Sequence, residues 1–128
     1  MHNATPPTEL KLHTSSRELE LVYEDLEARL SYEFLRVHSP SAEVRGHGPG
    51  QEVLQTGKEN VRILNIEPVG HYALKITFDD GHDSGLFSWD YLRELCEQKE
   101  TLWQSYLDKL NTAGEQRGSG LIGKWTPE

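Results

Sequence analysis

Apolar and polar residues alternate three times in the first third of the chain. Residues 9–14 place Leu10 and Leu12 on one side, and residues 17–23 do the same with Leu19, Leu21 and Tyr23. A third run, residues 28–37, starts in phase at Leu30, Tyr32 and Phe34 and then shifts to Leu35 and Val37. A period of two sends successive side chains to opposite faces of a strand, so each run predicts a strand with one buried face. The shift at Leu35 predicts a bulge or bend. Residues 17–30 are also rich in Glu and Leu, which leaves a short helix there as the alternative.

Residues 61–66 and 72–78 predict two further strands, joined by a turn in which Pro68 has a fixed φ and Gly70 an easy positive one. Asp79-Asp-Gly-His82 predicts the next turn, because Asp-Gly suits a tight hairpin, and residues 83–87 then return as a short strand. From Trp89 to Leu110 the apolar residues recur at helical spacing. Ser88 is placed to cap that helix and Asp90 to meet its dipole, with a break expected near residues 97–99. The expected fold is α+β: a small antiparallel β-sheet, a meander, packed by a C-terminal helix or helix pair over residues 9–113. Residues 1–8 read as a flexible N-terminus and residues 114–128 as a flexible tail, whose Leu121, Ile122 and Trp125 either dock or stay disordered.

Length and charge narrow the class. A chain of 128 residues is long enough for one core without disulfides, and the single Cys96 allows none internally. A net charge of −8 repels phosphate backbones, which argues against nucleic acid as a partner. No apolar window approaches the roughly 20 residues needed to span a bilayer, so no membrane partner is expected. The N-terminus has neither a basic start nor an apolar run, and the expected location is cytoplasmic.

The side chains able to do chemistry gather in residues 34–50. His38 and His47 flank Ser39 and Ser41, and Arg45-Gly-His-Gly-Pro-Gly50 follows. Alternate glycines permit positive φ and close approach, and exposed N–H groups in such a loop cup anions. Arg45, Gly46, His47, Gly48 and Gly50 are therefore the candidate binding loop, against the plainer reading of a tight connection. The loop lacks the Gly-Lys-Ser/Thr of a nucleotide-phosphate loop. His38, His47 and His82 are the candidate metal ligands, although scattered loop histidines are more often plain surface or turn residues. A divalent metal, iron or zinc, is the one cofactor they leave open. No His-x-Asp/Glu or His-Glu-x-x-His occurs. Asp79 and Asp80 are explained by the turn, and Cys96 reads as a small buried thiol. No catalytic constellation stands out, and the reading leans away from an enzyme.

Phe34-Leu-Arg-Val-His-Ser-Pro-Ser-Ala-Glu-Val-Arg-Gly-His-Gly-Pro-Gly-Gln51 resembles the signature of a widespread bacterial domain family of unknown function. Residues 66–82, ending in Asp-Asp-Gly-His82, and Gly85-Leu-Phe-Ser-Trp-Asp-Tyr-Leu-Arg93 agree with it. The resemblance covers roughly residues 8–113 and is shared with the N-terminal domain of gamma-butyrobetaine hydroxylase, an iron- and 2-oxoglutarate-dependent enzyme. A similar domain is attached to some P-loop ATPases that carry iron-sulfur clusters. In the hydroxylase this domain is not the catalytic one and holds a structural zinc by a Cys-x-Cys-x-x-Cys run and one distant histidine. The resemblance puts those cysteines at Ser39, Ser41 and Val44 and the histidine at His82, so only the histidine is kept. It implies a non-catalytic accessory or interaction domain with a protein partner. The alternatives are a metal-binding protein linked to iron or iron-sulfur metabolism, and a small-anion site at the Gly46–Gly50 loop.

Overall fold

The computed structural model describes residues 5–46 and 50–115. The expected flexible ends fall largely outside them, as do His47 and Gly48 of the candidate loop. The first three strands are β1 (Glu9–His13), β2 (Glu18–Val22) and β3 (Glu27–Ser31), an antiparallel sheet in that order. Leu12 faces Leu19 and Leu19 faces Leu30 across the ladder, so the leucines of β2 and β3 share one buried face. The glutamates between them go to the other face. Glu20 meets His13 at 2.7 Å, and Arg29 reaches Glu18 at 3.3 Å. That pairing settles residues 17–30 as strand and not helix: a helix would have put Leu19 and Leu21 on different sides.

The third strand stops six residues earlier than its pattern predicts. Residues 32–37 form a helix, α1 (Tyr32–Val37), and not the bulged end of a strand. Ser31 ends the strand and caps the helix, its Oγ accepting the Phe34 N–H at 2.9 Å. All six residues of α1 are buried, so no exposed face survives to set an alternation. The apolar run Phe34, Leu35 and Val37 belongs to a helix enclosed on all sides. Even Arg36 is enclosed, bonded to Asp80 at 2.9 Å and to Gln55 at 3.1 Å.

A short helix α2 (Ala42–Arg45) follows, and then a second antiparallel sheet of β4 (Ile63–Val69), β5 (Ala73–Phe78) and β6 (Leu86–Ser88). The meander is thus two three-stranded sheets. The Asp-Gly turn forms, with Gly81 at φ 88°, but the return strand begins at Leu86 and not at residue 83. Residues 79–85 swing across to the segment between α1 and α2 before β6 pairs with β5. Ser88 Oγ then caps α3 (Trp89–Glu97) by accepting the Tyr91 N–H at 3.1 Å, and Gln98 separates it from α4 (Lys99–Thr112).

One apolar core joins the layers: Leu19, Leu21 and Leu30 from the first sheet, Leu74, Ile76, Phe78 and Phe87 from the second, Leu92 and Leu95 from α3. Each such side chain, fully buried, contributes about 1.5–3 kcal/mol from water exclusion. Cys96 lies at its edge, 8% exposed, and burial pushes its thiol up to about 11. The reagent DTNB at pH 8 is therefore expected to react roughly a hundredfold more slowly with the native protein than with the urea-unfolded chain. Equal rates would show that the core does not enclose α3.

Candidate functional site

Two sets of residues converge on the segment 38–46: a buried polar cluster beneath it and an open groove beside it. The polar cluster begins with Ser39 and Ser41, held on either side of Pro40 between α1 and α2. Ser41 sits at the start of α2 but makes no side-chain cap. Its hydroxyl turns instead to His82, 3.3 Å from Nε2, beside the Ser39 hydroxyl at 2.8 Å. On the other side of the ring, Nδ1 meets Glu43 Oε1 at 3.0 Å. An ionised carboxylate only accepts, so Nδ1 carries the proton and Nε2 accepts from the hydroxyls. The Ser41 N–H donates to Ser39 Oγ at 3.4 Å and closes the chain of bonds. Ser39, Ser41 and His82 are all buried. Burial, with Arg36 second, pushes His82 below the usual imidazole range, consistent with a neutral ring.

The fold thus brings Ser39 and Ser41, two of the positions where the resemblance implies zinc ligands, to His82. Two neutral hydroxyls stand where thiolates would, Val44 supplies no donor, and the Nε2 lone pair is already engaged. These residues do not fit a zinc ion. Among the described residues, no three His, Cys, Asp or Glu side chains group to hold a metal. His38 keeps other company: Nδ1 donates to the Phe34 carbonyl at 2.9 Å, and its ring lies against that of Phe34.

Backbone geometry locks the cluster in place. A Cβ on Gly85 would strike Ser39 Oγ, so only glycine lets the β5–β6 connection pass there. Asp80 anchors the same connection to Arg36 and to Lys58, at 2.9 and 2.7 Å. Burial pushes its carboxyl up, but hydrogen bonds from Lys58, the His82 N–H and Arg36 outweigh that and hold it at about 2. Asp79 Oδ1 accepts the Arg62 N–H, so this acidic pair is structural. Sequence reasoning left out Glu43 and Gly85, though both lie inside the two quoted motifs.

The groove lies between the 38–46 segment, residues 52–55 and α4, with a volume near 790 Å³. Val37, Val44, Leu54, Leu102 and Tyr106 give it apolar walls. Tyr106 fixes one side by donating to the Gln55 carbonyl at 2.7 Å, and Tyr91 fixes the other by donating to the His38 carbonyl at 2.6 Å. Arg45 lays its guanidinium over the Tyr91 ring, 4.9 Å from the centroid. Of the candidate binding loop, Arg45 and Gly46 line this groove, whereas Gly50 is exposed and absent from its lining. The walls come from segments far apart in sequence, so no local pattern announced them.

Residues 10–93 match a family described as gamma-butyrobetaine hydroxylase-like, N-terminal. A protein known from a solution NMR structure is 51% identical, with a TM-score of 0.80, over 95% of this chain and 98% of that one. A second NMR structure is 46% identical, with a TM-score of 0.75, over 97% and 94% of the two chains. A crystal structure of a protein of unknown function of the DUF971 family, from Acidithiobacillus ferrooxidans, is 40% identical. It covers 70% of this chain and 90% of its own length, with a TM-score of 0.59. No curated protein matches. Among the described residues no helix is long and apolar enough to cross a membrane.

Proposed function

The chain belongs to the gamma-butyrobetaine hydroxylase-like N-terminal family, and on that premise we propose that it is a non-catalytic accessory domain that holds a protein partner in the groove beside α4. The groove carries this reading. It joins apolar walls to a rim of polar side chains, the usual make-up of a recognition surface. Val53 lines the groove and is 52% exposed, which leaves its side chain accessible to a partner. The hydrogen bonds of Tyr91 and Tyr106 hold the walls before any partner arrives, which limits the ordering cost of binding.

The buried polar cluster supports the same assignment from the other direction. Its imidazole is enclosed and bonded at both nitrogens, so it positions the 38–46 segment and offers nothing to a substrate. A photoreactive amino acid at Val53 is expected to crosslink a discrete protein in lysate of the source cell. The same probe at Glu67, on the second sheet, is expected to give none. Identical products from both positions, or none from Val53, would remove the assignment.

A further inference from the structure

We propose that the groove selects an acidic, apolar peptide segment, seating a partner's carboxylate at Arg45 and Lys109 and its apolar side chain between α1 and α4. This rests on the interaction reading above and adds the chemistry of the partner. The chain as a whole carries a charge of −8, yet the groove reverses that sign. Arg45 from α2 and Lys109 from α4 both line it, and Glu52 is the one carboxylate in the lining among the described residues.

Several cations outside the groove are matched by carboxylates. Arg29 pairs with Glu18 and Glu20, Arg36 and Lys58 with Asp80, and Arg93 with Asp25 and Glu97. Arg45 and Lys109 have no carboxylate within ion-pair distance among the described residues. Arg45 is also held in place: lying over the Tyr91 ring and hydrogen-bonded to that side chain, its guanidinium is oriented at small further entropic cost, and its remaining N–H groups are left for a carboxylate.

The groove's apolar walls include Val37 and Tyr106, which pack with Leu110 as a small core of their own. His38 adds an acceptor to the lining, because Nδ1 is given to the Phe34 carbonyl and Nε2 is left with its lone pair. An extended peptide brings all three complements at once: a carboxylate, an apolar side chain and a backbone N–H. The chain's own residues 116–128 match less well, since Arg117 and Lys124 outnumber Glu128.

The test is selection of a displayed library of random short peptides on the full chain, followed by titration of the enriched peptides by fluorescence anisotropy. Enriched peptides are expected to combine Asp or Glu with Leu, Phe or Trp. Their affinity is expected to fall about tenfold in the Arg45→Gln/Lys109→Gln variant and to weaken with added salt, while Lys75→Gln on the second sheet changes nothing. Peptides without acidic residues, or bound equally by the double variant, would overturn the charge preference; if Val53→Arg still blocks them, the groove stands as the interaction surface. Peptides indifferent to Val53→Arg, or no enrichment at all, would end both readings. Displacement by free succinate at concentrations equal to the peptide's would reassign the site to small organic anions. A tenfold gain in peptide affinity on Trp125→Ala would make the chain's own tail the occupant. Either result overturns the proposal.

Discussion

The Ser39→Cys/Ser41→Cys/Val44→Cys variant is expected to bind one zinc ion per chain. Ser39 and Ser41 already reach the same nitrogen of His82, at 2.8 and 3.3 Å, and Val44 is buried on α2, the short helix that follows them. Thiolates at these positions would compete for Nε2 with a metal between them, where the hydroxyls now bond it directly. Glu43 would keep its bond to Nδ1, the carboxylate partner that orients a ligating imidazole. Structural zinc sites of this kind bind with apparent free energies of about 10–16 kcal/mol near neutral pH, so the gain in melting temperature should be large and reversed by chelator. Cobalt loading gives the check, through thiolate-to-metal absorption that His82→Ala weakens. No metal uptake, or uptake indifferent to His82→Ala, would mean that the four positions do not converge. The unaltered chain is expected to melt at the same temperature with and without EDTA, because its cluster closes on hydrogen bonds alone.

Gly46→Ala is expected to cost about 3 kcal/mol of stability, a loss on the order of 10 °C in melting temperature, and to abolish binding in the groove. Gly46 has φ 71° and ψ −150°, a conformation that side chains disfavour strongly. A Cβ there would also land on the carbonyl oxygen of Gln51, a backbone atom with no room to rotate away. Gly46 follows Arg45 at the end of α2, so relieving the clash moves the groove wall itself. Gly50 supplies the control. Its φ of 82° is also positive, but nothing lies within 4 Å of its added Cβ. Gly50→Ala should therefore cost only about 1 kcal/mol. Urea titration of both variants measures the difference. Equal losses would show that strain in φ, and not the contact with Gln51, makes Gly46 necessary.

Local chemistry made much of the framework legible. Glu18 to Val22 alternates cleanly because one face of that strand meets the core and the other meets water, and its leucines are fully buried as the pattern requires. The capping of α3 by Ser88 and the break before α4 were equally visible, since a cap and a helix end are decided by neighbouring residues. Residues 32–37 defeated the same reasoning. They are buried on every side, so the contrast between wet and dry faces on which periodicity depends is missing. The extra three residues before β6 were hidden for a different reason: an Asp-Gly pair specifies a turn but not how far the chain travels after it.

Composition and order along the chain were sufficient for the α+β class, the short strands, the paired helices and the kinship carried by residues 34–51 and 85–93. Ser39, Ser41 and Val44 offer no thiolate to a metal, and that too is plain from the chain alone. That Ser39 and Ser41 would close on His82 was settled by the meeting of segments about forty residues apart, and with Glu43 on the far nitrogen the ring became a neutral, enclosed fastener. The groove is a tertiary outcome as well. Its walls belong to α1, α2 and α4, and the charge it presents arises where Arg45 and Lys109 come to line one hollow with Glu52 as the one carboxylate among the described lining residues. Periodicity reports which way a side chain faces, whereas convergence of distant side chains depends on how the layers pack, and that information is carried by no single stretch of the chain.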